Sequence, residues 1–106
     1  MATGRLGIAD LSATTNTSVY TVPSGTFSVV TVNVANRAAT SATIRIAVSS
    51  SASPTSAEWI EYDSSLVANG VIERTGIVMD AGKQIVVYSS AANLSVVVMG
   101  IETTTV

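Results

Sequence analysis

Carboxylates are the side chains in this sequence whose type and spacing could support chemistry. Five of the seven acidic residues lie in one stretch of the chain: Glu58, Glu61, Asp63, Glu73 and Asp80. Such oxygen ligands suit a hard cation such as calcium, and paired carboxylates also perform acid-base work in glycosidases. On a strand, however, Glu58 and Glu61 point to opposite faces, whereas Glu61 and Asp63 share one. We expect these groups to be solvated or paired with Arg45 or Arg74, and we predict no metal site.

Other catalytic sets are missing because the sequence has no histidine and no cysteine. Ser-His-Asp catalysis, Cys-His catalysis and the usual zinc sites all need these residues. A serine-lysine pair would have to use Lys83, the sole lysine, and nothing around it indicates a desolvated pocket. We therefore predict a protein that is not an enzyme and that carries no cofactor.

Trp59 is the only tryptophan, and it follows a serine-rich segment at residues 49–57 that we predict to be an exposed loop. Two interpretations stay open. An exposed Trp59 beside this loop could form a carbohydrate-binding platform. Alternatively, it packs in the core or in an interface, where tryptophan buries a large area.

The composition predicts one domain with an unusually uncharged surface. The chain has 106 residues, of which 11% are charged, and its net charge is -2. Average soluble domains carry about 25% charged residues. Scattered basic residues and a negative charge argue against nucleic-acid binding. A neutral exterior suits contact with other protein, and a monomer with a Ser/Thr-rich surface is the alternative. No run is long enough for a membrane helix and no targeting segment is visible.

Short apolar alternations separated by turn signals predict an all-β fold. We expect residues 18–106 to form a single-domain antiparallel β-sandwich, jelly-roll or immunoglobulin-like, with about seven or eight short strands. Residues 1–17 read as an extended N-terminal arm with three spaced apolar side chains: Leu6, Ile8 and Leu11. This arm is either a frayed terminus or a segment that docks on a neighbouring subunit or partner.

The last predicted strand is apolar on both faces. Leu94, Val96 and Val98 share one face, and the other face carries three apolar side chains: Val97, Met99 and Ile101. A half-exposed sheet would alternate apolar with polar residues. We therefore expect both faces to be covered, the second by another subunit, the arm or a loop, and we favour a homo-oligomer.

Several stretches together resemble small virion structural proteins of tailed bacteriophages. They are YTVPSGT (20–26), VVTVNV (29–34) with the following Asn36-Arg37, IEYDSSLVANGVIERTGIVMDAGKQIVVYSS (60–90) and VVVMGIE (96–102). The likeness covers most of the chain after about residue 18 and consists of turns and strands without a catalytic signature. Ser24 stands where the pattern has alanine, and Ala35 stands where some relatives carry cysteine.

The resemblance implies a component of a phage particle, from a phage of cyanobacteria or another aquatic host. Small β proteins of this kind commonly decorate the capsid exterior, often as trimers. This implies that the major capsid protein and further copies of the chain are its partners, after synthesis in the host cytoplasm. The candidate contacts are the six apolar residues Leu6, Ile8, Leu11, Val97, Met99 and Ile101. The alternatives are a tail or neck subunit and a host-surface binding module that uses Trp59.

Overall fold

The computed structural model describes residues 2–105 and contains eight β-strands in that range. They are β1 (Thr3–Leu11), β2 (Thr17–Thr21), β3 (Thr26–Asn36), β4 (Ala42–Ser49), β5 (Trp59–Leu66), β6 (Val71–Met79), β7 (Gln84–Ser89) and β8 (Leu94–Thr104). The remaining regular element of this range is one 3-10 turn at Ser56–Glu58. The predicted all-β class is confirmed.

Two four-stranded antiparallel sheets form the sandwich. Sheet A has the order β1-β8-β3-β6, and sheet B has the order β2-β7-β4-β5. The strand pairs are nested: β1·β8, β2·β7, β3·β6 and β4·β5. The chain therefore forms one long hairpin whose two halves fold together across both sheets. This nesting is the jelly-roll arrangement, so the structure selects the jelly roll from the two sandwich types that the sequence allowed.

The core lies between the two sheets, and alternation of side chains along the strands supplies most of it. In β3, Val30, Val32 and Val34 are buried, as the period of two predicts, and they pack among the buried residues of the core. Sheet B contributes Ile44 and Ile46 from β4, which are also fully buried. The period of two therefore holds on the inward faces of both strands at these positions.

The segment that the sequence suggested as an arm belongs to the sandwich instead. Residues Thr3–Leu11 form the edge strand of sheet A, paired with β8 from Thr3 opposite Ile101 to Leu11 opposite Leu94. Leu11 keeps only 2% of its surface exposed. The boundary between an arm and a domain at residue 17 is thus absent, because β1 takes up the backbone hydrogen bonds at the edge of β8.

The two open sides of the sandwich are closed in different ways. On one side β1 packs closely on β2, since a Cβ added at Gly7 would lie 2.3 Å from the carbonyl oxygen of Val19. On the other side, Arg74 of β6 reaches across to Glu61 of β5 with an N–O distance of 2.5 Å. Both contacts join an edge strand of sheet A to an edge strand of sheet B.

Candidate functional surfaces

The outer face of sheet A carries the largest group of exposed apolar side chains that the strand pairing brings together. The pairing aligns Ile101 of β8 with Val29 of β3 and Val29 with Val78 of β6. In the same way it aligns Val97 of β8 with Ile8 of β1. Ile8 is 57% exposed and Val78 is 70% exposed. We call this surface, formed by Ile8, Val29, Val78, Val97, Met99 and Ile101, the apolar face.

The pattern predicted for the last strand is confirmed on its inner side. Leu94, Val96 and Val98 are buried in the core. On the outer side, Met99 and Ile101 are exposed. Strand β1 lies beside β8 in the sheet and not over it, so no described segment covers the apolar face.

The three apolar residues of the predicted arm have different environments in the structure: two face the core and one is exposed. Leu11 is buried, and Leu6 packs against the core from a bulge in β1 between Arg5 and Gly7. Predicting Leu6 and Leu11 as contacts with a partner was therefore wrong, because both side chains point into their own domain. Ile8 is exposed on the outer face beside Val97. The candidate contacts that remain are Ile8, Val97, Met99 and Ile101.

Charged side chains border the apolar face at both edges of sheet A. Arg5 on β1 lies opposite Met99, and Glu73 on β6 lies opposite Asn33. Asp10, also on β1, pairs with Arg37. Among residues 2–105, neither Arg5 nor Glu73 forms an ion pair. No local sequence pattern indicates this placement, because it depends on which strands become neighbours.

The outer face of sheet B carries a different cluster, centred on Arg45. Its guanidinium carbon lies 4.2 Å from the ring centroid of Tyr62 and 4.5 Å from that of Tyr88. The centroid of Trp59 lies 6.0 Å away. The side chain also donates to both carboxylate oxygens of Asp63, at 2.6 and 3.3 Å, which raises the pKa of Arg45. Alternation correctly predicts that Arg45 points outward, but it does not predict the aromatic neighbours.

Trp59 is the first residue of β5, beside the segment at residues 49–57, and its side chain is half-buried and not fully exposed. Its ring meets Tyr62 edge-on, with centroids 5.6 Å apart and an interplanar angle of 70°. A cleft of about 340 Å³ is lined by Ser56, Trp59 and Tyr62. The edge-on rings do not form a flat stacking platform, and Arg45 already lies over the face of Tyr62.

Three of the five carboxylates of this stretch are paired with basic side chains of their own chain. Asp63 binds Arg45, Glu61 binds Arg74, and Asp80 accepts from Lys83 at 3.0 Å. The interaction with the Lys83 ammonium lowers the pKa of Asp80. Within residues 2–105, no group of three or more acidic side chains could hold a metal ion.

Glu58 holds the loop between β4 and β5. Its carboxylate accepts hydrogen bonds from the backbone N–H of Thr55 at 2.8 Å and of Ser50 at 3.0 Å. The hydroxyl of Ser49 donates to it at 3.0 Å. These donors favour the charged form, so the pKa of Glu58 falls from 4.5 to about 2. Its shifted pKa thus has a structural cause within the loop.

Comparison with known proteins adds no family assignment. The chain matches no protein-family profile and no curated protein sequence. Across residues 2–105 there is also no helix with the length and apolarity needed to span a membrane. The conclusions on function therefore depend on the surfaces described above and on the resemblance of the sequence motifs.

Proposed function

We propose that this protein is a non-enzymatic structural component of a tailed-phage virion, in which it decorates the outer surface of the capsid. The observation that carries the proposal is the uncovered apolar face of sheet A on a domain with few charges, a surface that suits assembly with further protein, whether copies of the chain or capsid subunits. Contiguous exposed apolar patches mark sites of contact with other protein. The resemblance of the motifs to small phage virion proteins gives that contact its biological setting.

The fold is compatible with this role. Jelly rolls recur in viral capsid and lectin domains, but a fold by itself does not define a function. On the outer face of sheet A the two carboxylates, Asp10 and Glu73, lie on opposite edge strands and Asp10 is paired with Arg37, so they are not placed as an acid-base pair. This arrangement favours binding over catalysis.

The mechanism would be stabilisation by selective binding. A decoration protein that binds assembled shells, but not free capsid subunits, shifts the assembly equilibrium towards the closed shell by mass action. Each bound copy would bridge neighbouring major capsid subunits and resist the outward pressure of packaged DNA. Self-association would add further bridges, and the resemblance implies a trimer.

Immunogold labelling of intact virions tests the location directly. We expect gold spread over the head. Gold restricted to the neck or tail would mean that the protein is a neck or tail subunit and not a capsid decoration protein. Absence of the protein from purified virions, by both labelling and mass spectrometry, would refute the virion proposal.

A second candidate function is a host-surface glycan-binding module, which the cleft lined by Ser56, Trp59 and Tyr62 favours. The two rings form no shared flat platform, so in this function Trp59 alone would pack on a sugar ring at the open cleft. A glycan array probed with the wild-type protein, Trp59→Ala and the matched control Tyr88→Ala tests it. Binding that only Trp59→Ala removes, with both variants folded, would support this function, whereas no binding by the wild type would exclude it.

A further inference from the structure

We propose that the apolar face is a self-association surface, in which Arg5 of one copy pairs with Glu73 of a neighbouring copy of the same chain. The proposal concerns the isolated protein and does not depend on its location in a virion. It begins from two observations on one face: an uncovered apolar centre, and opposite charges without ion-pair partners at the two edges.

The strand order places the two charges on opposite sides of the apolar centre. Arg5 belongs to β1 and Glu73 to β6, which are the two edge strands of sheet A. Arg5 lies in the row of Met99 and Thr31. Glu73 lies in the neighbouring row, opposite Asn33. Neighbouring rows on one face are about 7 Å apart along the strands, which an extended arginine side chain spans.

This arrangement is self-complementary in both simple closed assemblies. A two-fold axis parallel to the strands, placed between two facing copies of sheet A, lays β1 of one copy over β6 of the other. A three-fold axis parallel to the strands, with the three faces turned inward, brings β1 of each copy beside β6 of the next. Either symmetry buries the apolar face and brings Arg5 near Glu73 of a neighbour.

Other charges on the outer face do not compete for this contact. Asp10 is already paired with Arg37. Arg74, next to Glu73 in the sequence, points to the opposite side of β6 and binds Glu61 of sheet B. The two charges available to a second copy are therefore of opposite sign and lie on opposite edges, which favours association of like copies in one orientation.

The size of the face is typical of a weak interface. Four strands about 4.8 Å apart and about nine residues long give a face of about 500–600 Å². A standard specific interface takes about 800 Å² from each partner. We therefore expect association in the micromolar range for the purified protein, and stronger effective association wherever copies are held close together.

Sedimentation equilibrium of the purified full chain, from about 1 to about 200 µM, tests the proposal. The wild type should form dimers or trimers. Arg5→Glu and Glu73→Arg should each weaken association about tenfold, because each closed assembly contains the contact at least twice. The double variant should recover most of the loss. Lys83→Glu, with the same charge change at the β6–β7 turn, should associate like the wild type.

A separate variant tests whether the apolar face itself is the contact surface. Ile101→Lys, at a side chain that is 48% exposed, should abolish association. Its control is Val67→Lys in the β5–β6 turn, where the side chain is 62% exposed and lies outside the face. Circular dichroism should show every variant to be folded, and Glu73→Arg provides an independent charge test if Arg5→Glu does not fold.

Three outcomes would overturn the inference. A wild type that stays monomeric over the whole concentration range would show that the face has another occupant, such as a capsid protein. Association that survives Ile101→Lys would place the contact elsewhere on the molecule. Association that Ile101→Lys removes, but that neither charge reversal weakens, would refute the Arg5–Glu73 contact.

Discussion

The hydroxyl of Tyr20, in sheet B, donates a hydrogen bond to the carboxylate of Glu102, in sheet A, across an O–O distance of 2.6 Å. The tyrosine has one proton to give, so the hydroxyl of Ser28, also 2.6 Å away, is the donor in their contact. The other oxygen of Glu102 accepts from the backbone N–H of Ala2 at 3.0 Å. One carboxylate thus connects both sheets and the start of β1.

Replacing this tyrosine should destabilise the fold. In Tyr20→Phe, Ser28 loses an acceptor and Glu102 loses a donor in a largely buried setting, at a cost of about 1–2 kcal/mol in the free energy of unfolding. Urea denaturation at neutral pH measures it. Tyr62→Phe is the control, because Tyr62 is exposed and its ring contacts are kept. Equal stabilities of the two variants would contradict a linking role for the hydroxyl.

The same network predicts sensitivity to alkali. Burial and the bond to Glu102 raise the pKa of Tyr20 from 10.0 to about 12. A raised pKa favours the neutral form in the folded state, so the stabilisation is complete below pH 10 and is lost as the pH rises towards 12. Stability should fall across this window in the wild type and fall less in Tyr20→Phe. Parallel pH profiles for the two proteins would exclude Tyr20 as the cause.

Glu58 should make the loop between β4 and β5 sensitive to acid. Its pKa is lowered from 4.5 to about 2, so its stabilising effect is complete above about pH 4.5 and is lost as the pH falls through 2. Glu58→Gln should therefore lose less stability than the wild type between pH 5 and about pH 2. Thermal unfolding at several pH values measures the difference. Glu73→Gln, measured at a protein concentration at which the chain is monomeric, is the control, since Glu73 forms no ion pair within residues 2–105.

Arg45 should organise the aromatic cluster of sheet B through its planar guanidinium. Lysine keeps the charge but can neither stack on the rings of Tyr62 and Tyr88 in the same way nor bind Asp63 through two nitrogens. Arg45→Lys should lower the melting temperature by a few degrees and alter the fluorescence of Trp59. Arg37→Lys, at an exposed pair, should change neither. An unchanged Trp59 emission in Arg45→Lys would show that the cluster is loosely held.

Gly7 should be intolerant of a side chain, because its backbone approaches β2. A Cβ at this position would lie 2.3 Å from the oxygen of Val19, so one strand has to shift. We expect Gly7→Ala to cost about 2–3 kcal/mol in unfolding free energy, as overpacking does elsewhere. Thr3→Ala, on the exposed part of the same strand, should cost little. A fully stable Gly7→Ala would mean that β1 and β2 separate without loss.

The interior strands could be predicted from the sequence because their signal is local. The alternation of side chains in Thr26–Asn36 matches the inner and outer faces of β3 in the structure. Strand β1 was missed because its own residues carry no clear strand pattern. Its weakly apolar sequence, with Gly4 and Gly7, forms a strand because the edge of β8 offers it a full set of backbone partners.

By itself, the sequence determined the all-β class, the apolar character of both faces of β8, and the absence of histidine and cysteine chemistry. These properties follow from residue type and from a period of two, which neighbouring residues impose on one another. Tertiary structure alone decided that Arg5 and Glu73 border one face and that Tyr20 reaches Glu102. Such contacts join residues far apart in the chain, and they depend on which strands pair, a choice made by the packing of the whole core.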